Sequence, residues 1–354
     1  MNSWSKLLYK TLYALMPLTI ILYWQKLEIL SFISAAITMC ILSGLLGKSM
    51  GQYEYYSGPA KSALLNSFVG NIAELVIALF ALFLGDTELV KGSVIGSILG
   101  NLLVVIGACF IVGAWKWKKN FRFKKIFVRS NVAVLLLVIV AMSIPSICNI
   151  LTPIDKANDQ LVKYSLWMAG ILFLVYIVLI VRNNTDHSIH ALFSREQPVW
   201  TKAKARLMVL LSAILVVPTA YILVKGVERV SISLGINELV IGMFFISIIA
   251  NIPENSSAVR FAYKGNPNMA MAIPLASCIQ LSLFVVPIIV LVGYIFHHPF
   301  IMVFSTMQIA FAGIAFLITQ QFTHDGFGTR FFGFLMIIFY ICLAIGAIHL
   351  GGIK

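Results

Sequence analysis

The chain has 354 residues, of which 60% are hydrophobic and 11% are charged. Soluble domains carry roughly 25% charged residues, so this composition excludes a soluble globular protein and indicates a polytopic membrane protein. A formal net charge of +13 is typical of nucleic-acid binding. The basic residues lie between long apolar runs, however, so the charge is read as membrane topology and no nucleic-acid partner is expected.

Apolar runs of helical length predict an all-α membrane protein with about eleven transmembrane helices. The expected ranges are 11–25, 28–47, 60–84, 88–114, 127–151, 161–181, 206–226, 237–262, 268–293, 298–319 and 331–350. The count would be ten if the first helix lay in the membrane interface. That first run ends without a small-residue cleavage site, so we expect it to be retained.

The placement of Lys and Arg predicts a cytoplasmic N-terminus and an outside C-terminus. In this orientation 19 of the 26 basic residues fall on the cytoplasmic side. The densest block lies within 116–129 and is expected to anchor the chain and attract anionic lipid. A site for a regulatory partner is the alternative interpretation of this block.

One acid lies in the middle of an apolar run. Glu74 is the only charged residue within 66–84, and the nearest charges, Lys61 and Asp86, are 13 and 12 residues away. At ~1.5 Å per helical residue, these charges are roughly 18–20 Å distant. A hydrocarbon core is ~30 Å thick, which puts Glu74 near the midplane. A carboxylate there costs about 2.5–3.5 kcal/mol on insertion scales, so a compensating partner is expected.

The same arrangement returns once downstream. Glu254 lies in the apolar run 239–259, and Asn251 precedes it as Asn71 precedes Glu74, which gives two Asn-x-x-Glu motifs. Residues three apart lie on one helix face. In the predicted orientation the first of these helices runs outward and the second inward. The halves therefore form an inverted repeat, which suggests one shared cation site.

The longest hydrophilic connection divides the halves. The expected parts are a peripheral N-terminal helix, a first five-helix repeat, a cytoplasmic linker and a second five-helix repeat, at 1–27, 28–181, 182–205 and 206–354. The linker holds four residues of metal-binding types, Asp186, His187, His190 and Glu196. Their spacing matches no standard metal site, which favours a solvated connection.

Each half adds a second helix with polar residues. Ser97 and Asn101 follow the first acid, and Ser277 and Gln280 follow the second. Such residues either hold neighbouring helices together by hydrogen bonds or act as ligands. Glycines that repeat every four residues in the first of these helices are expected to pack against a neighbour; they are Gly92, Gly96 and Gly100.

Carboxylates, amide oxygens and hydroxyls form the all-oxygen environment in which Ca²⁺ takes about six to eight ligands. Broken helices add backbone carbonyls: Pro253 cannot donate to the carbonyl of Ile249, and Gly70 is the weaker analogue in the first half. A carboxylate in a partly dry site without metal tends to hold a proton, and an arriving divalent cation expels it. A site that must hold either metal or protons before it changes its facing exchanges the two, so antiport is predicted.

Both halves contain several short motifs that are typical of one family of membrane proteins. In the first half they are Leu64-Leu65-Asn66, Gly70-Asn71-Ile72-Ala73-Glu74-Leu75, Ile77-Ala78-Leu79-Phe80-Ala81-Leu82 and Gly96-Ser97-Ile98-Leu99-Gly100-Asn101. In the second they are Asn251 with Glu254, Ser277 with Ile279-Gln280, and Leu283-Phe284-Val285-Val286-Pro287. These motifs and the helix order resemble the cation/proton exchanger branch of the Ca²⁺/cation antiporter superfamily over nearly the whole chain.

The resemblance implies a Ca²⁺/H⁺ antiporter with one peripheral helix and two inverted five-helix bundles. It implies that Glu74 and Glu254 bind Ca²⁺ and carry protons. It also implies supporting ligands or gates, which are Asn71, Asn251, Asn101, Gln280, Ser97 and Ser277. No cofactor is implied, because Ca²⁺ is the transported substrate.

The chain departs from the family pattern in its second motif. Ala250, Pro253 and Asn255 stand where the family usually has Gly, Ala and His. Loss of the His removes a titratable group beside the site, so proton stoichiometry and pH dependence stay open. Arg260 stands where the family tends to be uncharged, and it is expected to extend to the inner surface near Lys264. The linker is basic, whereas the family often has an acidic segment there.

Other functions remain as alternatives. Na⁺-coupled exchange, or transport of Mn²⁺ or another cation, belongs to the same class as Ca²⁺ export in exchange for H⁺. An intramembrane enzyme could use two acids as acid and base, but no Ser/Lys dyad or His-rich stretch accompanies them here. The short termini favour a bacterial plasma membrane. Whether copies of the chain form a homo-oligomer stays open.

Overall fold

The computed structural model describes residues 3–57, 68–151, 159–185 and 198–350. Its helices are α1 Ser3–Trp24, α2 Glu28–Glu54, α3 Ile72–Phe83, α4 Thr87–Lys116, α5 Lys125–Leu151, α6 Asp159–Thr185, α7 Lys202–Leu234, α8 Glu238–Ala250, α9 Ile252–Tyr263, α10 Pro267–Ile295, α11 Thr306–Thr323 and α12 Arg330–Leu350. Two short strands, β1 Phe121–Arg122 and β2 Phe327–Gly328, pair in an antiparallel ribbon.

Seven of the described helices are long and apolar enough to cross a bilayer, and the bent pair α8 and α9 makes an eighth if it counts as one span. The chain is therefore an all-helical, multi-pass membrane protein. The expected number of eleven spans stays a prediction. The start of the predicted helix 60–84 and the four linker residues Asp186, His187, His190 and Glu196 lie outside the described residues.

The second helix is longer than its sequence predicted. The predicted range for this helix ends at residue 47, but α2 stays helical to Glu54. Gly47 instead supplies a close contact, because a Cβ at this position would lie 3.0 Å from Cβ of Pro253. Glycine thus lets α2 approach the start of α9 rather than ending the helix.

The prediction of a helix over 298–319 is wrong at its start, because α11 begins only at Thr306. The preceding residues 300–304 are irregular, and Phe300, Met302 and Phe304 among them are buried. The Met302 N–H donates to Ser165 Oγ of α6 at 3.1 Å. The Phe304 N–H donates to Ser146 Oγ of α5 at 2.7 Å. Buried backbone outside a helix is tolerated when its polar groups find such partners.

Helices α4 and α8 cross in backbone contact. A Cβ on Gly96 would lie 2.0 Å from the carbonyl oxygen of Met243, and one on Gly92 would lie 2.3 Å from that of Leu239. Gly100 has no atom within 4 Å of such a Cβ. The expected packing role is therefore confirmed for two of the three glycines and is wrong for Gly100.

Three helices around this crossing contain π-helical turns. These are Gly100–Val105 in α4, Gly242–Ile246 in α8 and Leu281–Val285 in α10. A π turn widens the helix locally and is frequent at functional sites. Here the turns lie next to the polar residues of the predicted site.

Candidate functional site

Two matching helix breaks lie at the centre of the molecule. Of the described residues before Asn71, 68–70 are helical, and α3 follows Asn71; α8 ends directly before Asn251, and α9 follows it. The backbone angles φ and ψ are −98° and 14° at Asn71, and −93° and 5° at Asn251. These values lie in the sparsely populated bridge region. At the second break the two helix axes differ by 58°.

The residues predicted to break the helices flank these turns. Gly70 directly precedes Asn71, and Pro253 is the second residue of α9. The chain bends at Asn251, two residues before the proline. A proline in the first helical turn loses no hydrogen bond, because the N–H groups there have no acceptor within the helix.

The two asparagines use their side chains for contacts between helices. An Asn before the first helical residue normally accepts a hydrogen bond from a backbone N–H of that helix. Neither asparagine makes this bond. Instead Asn71 Nδ2 donates to Gln280 Oε1 at 3.2 Å, and Asn251 Nδ2 donates to Ser97 Oγ at 2.8 Å.

Ser97 joins the first acid to the second half. Glu74 is the third residue of α3 and is 9% exposed. Ser97 Oγ donates to Glu74 Oε1 at 3.2 Å and accepts from Asn251 Nδ2. The carboxylate lies in the first turn of its helix, where the helix dipole favours negative charge. One serine of α4 therefore connects the two Asn-x-x-Glu motifs.

Asn101 and Ser277 continue the network. Asn101 Nδ2 donates to Ser277 Oγ at 3.1 Å and lies 3.5 Å from Asn251 Oδ1, and Ser277 Oγ lies 3.4 Å from the same oxygen. Asn101 is 1% exposed, yet its Oδ1 has no partner in the described part of the chain. The buried Oδ1 of Asn255 is likewise unpartnered there. Leaving such an acceptor unsatisfied costs about 1–3 kcal/mol.

Glu254 holds in α9 the place that Glu74 holds in α3, in the first turn after the break. Its side chain is partly exposed, and the negative charge of Glu74 acts on it. Within the described ranges, neither acid has a Lys or Arg partner. The pair therefore carries negative charge that a bound cation or protons would neutralise.

Hydrogen bonds connect seven of the eight residues predicted for the site. Five form one chain, in the order Glu74, Ser97, Asn251, Ser277 and Asn101. Asn71 and Gln280 form a separate pair. In the described part of the chain, the Glu254 side chain forms no hydrogen bond to these residues.

A small cavity lies beside Glu74. Its lining residues come after Glu74 in α3 and before Ser97 in α4. The cavity therefore lies on the side of the membrane where α4 and α8 begin. Ser93 and Ser247 also line it, and sequence reasoning missed both. Ser93 lies four residues before Ser97, and Ser247 lies four residues before Asn251. This spacing of about one turn places each serine on the same helix face as the predicted ligand that follows it.

A second group of acids lies at that membrane end. Asp86 Oδ1 accepts from the N–H of Leu89 at 2.8 Å and so caps α4. Burial, with smaller contributions from the nearby carboxylates of Glu238 and Glu88, raises the pKa of Asp86 to about 7. Asp86 and Glu88 of this cluster precede Ser97 by about two and a half to three helical turns.

Comparisons with known proteins agree with this architecture. The family described as "Sodium/calcium exchanger protein" matches residues 27–183 and 204–348. The "Ca(2+)/H(+) antiporter ChaA" of Bacillus subtilis is 28% identical over 341 residues, which cover 93% of this chain and 95% of the relative.

Solved structures show the same fold. The structure of native YfkE has a TM-score of 0.83 and 26% sequence identity, and the match covers 96% of this chain and 99% of that one. A structure described as the H⁺/Ca²⁺ exchanger CAX has a TM-score of 0.73 at 12% identity, covering 97% of this chain and 89% of that one. The chain therefore belongs to the sodium/calcium exchanger protein family, in the cation/proton exchanger branch of the Ca²⁺/cation antiporter superfamily.

Proposed function

We propose that the chain is a secondary active antiporter that exports Ca²⁺ in exchange for H⁺ by alternating access. Glu74 and Glu254 hold Ca²⁺ and protons in turn. The observation that carries this proposal is the buried path from Glu74 through Ser97 to Asn251, which joins the two Asn-x-x-Glu motifs. The descriptions of its relatives as Ca²⁺/H⁺ antiporters support the same function.

The side chains available suit a hard divalent cation. Ca²⁺ prefers about six to eight oxygen ligands in irregular geometry. Two carboxylates, the amide oxygens and the serine hydroxyls supply such ligands. The Oδ1 atoms of Asn101 and Asn255, which have no partner among the described residues, are acceptors that a cation would satisfy. Their present lack of a partner is the feature that a purely structural network does not explain.

Proton coupling follows from the absence of a basic partner. Two acids in a helical interior, neither paired with Lys or Arg in the described ranges, are costly when both are charged and no cation is bound. Protons neutralise them when Ca²⁺ leaves, and Ca²⁺ displaces the protons when it returns. If the protein switches between its inward-facing and outward-facing states only when the site is neutralised, Ca²⁺ transport in one direction is coupled to proton transport in the other.

The proposed layout is a peripheral first helix and two inverted five-helix repeats. The parts are 1–27, 28–181, 182–205 and 206–354. The family match stops at 183 and resumes at 204, which supports a linker between the repeats. The distribution of Lys and Arg supports a cytoplasmic N-terminus, and the cavity beside Glu74 then lies on the outer side of this residue.

The test is Ca²⁺ flux into liposomes that contain the purified protein. With a proton gradient imposed, we expect accumulation of ⁴⁵Ca²⁺, and we expect Glu74→Gln and Glu254→Gln each to abolish it. Asp159→Asn is the matched control, because this acid is exposed and pairs only with exposed Lys163 in the described part of the chain. Uptake that survives in both glutamine variants would remove the basis of the proposal.

The same liposomes decide between the transport alternatives. A Na⁺ gradient in place of the proton gradient tests Na⁺-coupled exchange, and competition with Mn²⁺ tests the choice of cation. Uptake driven by Na⁺ but not by protons would replace the proposed coupling while leaving the site in place.

A further inference from the structure

We propose that residues 115–129, here called the basic ribbon, form a docking surface for anionic lipid headgroups, and that lipid bound there stabilises α9 and so supports the site at Glu254. Binding itself does not depend on the proposed transport function. The effect on transport rests on that function.

The basic ribbon presents unpaired positive charge. Seven of its side chains are exposed cations, namely Lys116, Lys118, Lys119, Arg122, Lys124, Lys125 and Arg129. None of them forms a salt bridge among the residues that the structure describes. Trp115 and Ile126 beside them are 68% and 77% exposed. Exposed Trp next to Lys and Arg is typical of the zone between headgroups and acyl chains.

The ribbon has a fixed shape. Phe121 and Phe123, in and next to β1, are 5% and 8% exposed and pack on Phe110. The intervening Arg122 is exposed. β1 pairs with β2, which connects the ribbon to the turn before α12. The packed aromatic side chains thus fix the position of the strand. Lipid binding to its cations therefore does not carry the entropy cost of ordering a free loop.

Three contacts attach the ribbon to the end of α9, the following turn and the start of α10. The Lys116 ammonium lies 4.8 Å from the ring centroid of Tyr263, the last residue of α9. The Trp117 ring packs on Gly265, where a Cβ would come within 2.6 Å of it. The Lys124 N–H donates to Asn268 Oδ1 at 2.7 Å.

Helix α9 carries this attachment to the site. It has twelve residues, with Glu254 in its first turn and Tyr263 at its end. At ~1.5 Å per residue, Glu254 and Tyr263 are roughly 14 Å apart along one continuous helix. A ribbon held by the membrane surface therefore restrains the helix that positions Glu254.

Lipid is the partner that the position favours. The ribbon lies between the spans Thr87–Lys116 and Lys125–Asn149, so its cations must be at one membrane surface. Phosphate oxygens of an anionic headgroup complement Lys and Arg, and acyl chains complement the exposed Trp and Ile. A soluble polyanion would satisfy only the first of these.

The test compares two double variants of equal charge. Lys119→Gln with Arg122→Gln removes two cations of the ribbon, and Lys202→Gln with Arg206→Gln removes two exposed cations at the start of α7. The full-length protein in liposomes is probed with brominated phosphatidylglycerol and brominated phosphatidylcholine, and quenching of Trp fluorescence is measured. Trp115→Phe identifies the share of quenching that comes from Trp115.

We expect the share of quenching from Trp115 to be severalfold larger with phosphatidylglycerol than with phosphatidylcholine, and the ribbon variant alone to lose this difference. We also expect phosphatidylglycerol to raise ⁴⁵Ca²⁺ uptake severalfold in wild type and not in the ribbon variant. Equal quenching by the two lipids, or equal loss in both variants, would overturn the docking surface. Complete competition by inorganic phosphate would also overturn it. Selective quenching in a protein that shows no proton-driven uptake would leave the lipid surface standing while the proposed function fails.

Discussion

The crossing of α4 and α8 gives the sharpest test of how the site is held together. Gly96→Ala places a Cβ 2.0 Å from the carbonyl oxygen of Met243 and 2.5 Å from its Cα. Both are backbone atoms, so no side-chain rotation relieves the clash. To restore even a 3.4 Å contact with the oxygen, the helices must separate by about 1.4 Å.

That separation acts directly on the site. Ser97, the next residue of α4, accepts from Asn251 Nδ2 at 2.8 Å, and a shift of this size takes the contact beyond hydrogen-bonding range. Overpacking costs about 1–3 kcal/mol, and an unsatisfied buried polar group costs a similar amount. We therefore expect Gly96→Ala to lose roughly 2–6 kcal/mol of stability and most proton-driven Ca²⁺ uptake.

Gly100→Ala is the matched control, one turn further along the same helix. A Cβ there meets nothing within 4 Å, and Gly→Ala within a helix gains about 0.5–1 kcal/mol. Thermal unfolding in detergent and ⁴⁵Ca²⁺ flux in liposomes measure both variants. Equal behaviour of Gly96→Ala and Gly100→Ala would refute the proposed role of the crossing.

Three further predictions concern single residues. Asn101→Ala removes an unpartnered amide oxygen of the network, so Ca²⁺ uptake should need severalfold more Ca²⁺ for half-maximal rate. Asp86 has a pKa raised to about 7, chiefly by burial, and so contributes stability at low pH that is lost as pH rises through about 7. Asp86→Asn should flatten this pH dependence of the melting temperature, because the amide keeps the helix cap without the charge repelled by Glu238. Trp200→Ala should lower stability by about 3–5 kcal/mol, because this ring is 5% exposed and contacts the cations of Lys48 and Lys204.

Each of these has a defined contrary result. An unchanged Ca²⁺ dependence in Asn101→Ala would mean that this oxygen does not face the cation. A melting temperature that depends on pH equally in wild type and Asp86→Asn would mean that another group titrates. Wild-type stability of Trp200→Ala, compared with Trp200→Phe as the conservative control, would contradict a packing role for the ring.

Local residue chemistry was enough to find the polar centre of the molecule. An acid far from any other charge along an apolar run is costly, so the repeat of Asn-x-x-Glu at Glu74 and Glu254 stood out without a structure. The approximate positions of the long helices followed from the apolar runs, because a helix that crosses a bilayer needs about 20 apolar residues. One prediction failed where the helix continues beyond its apolar run: the second helix was predicted to end at residue 47, whereas Gly47 lies within α2 and packs against Pro253.

Sequence alone determined the class of the protein and showed the repeated Asn-x-x-Glu spacing from which the site residues are proposed, because these depend on hydrophobicity and on spacing along the chain. Only the tertiary structure decided that the helices are interrupted at Asn71 and Asn251, that Ser97 bridges the halves, and on which side of Glu74 the cavity opens. These features depend on contacts between helices more than a hundred residues apart, such as the crossing of α4 and α8. No local pattern specifies which atoms meet across such a distance.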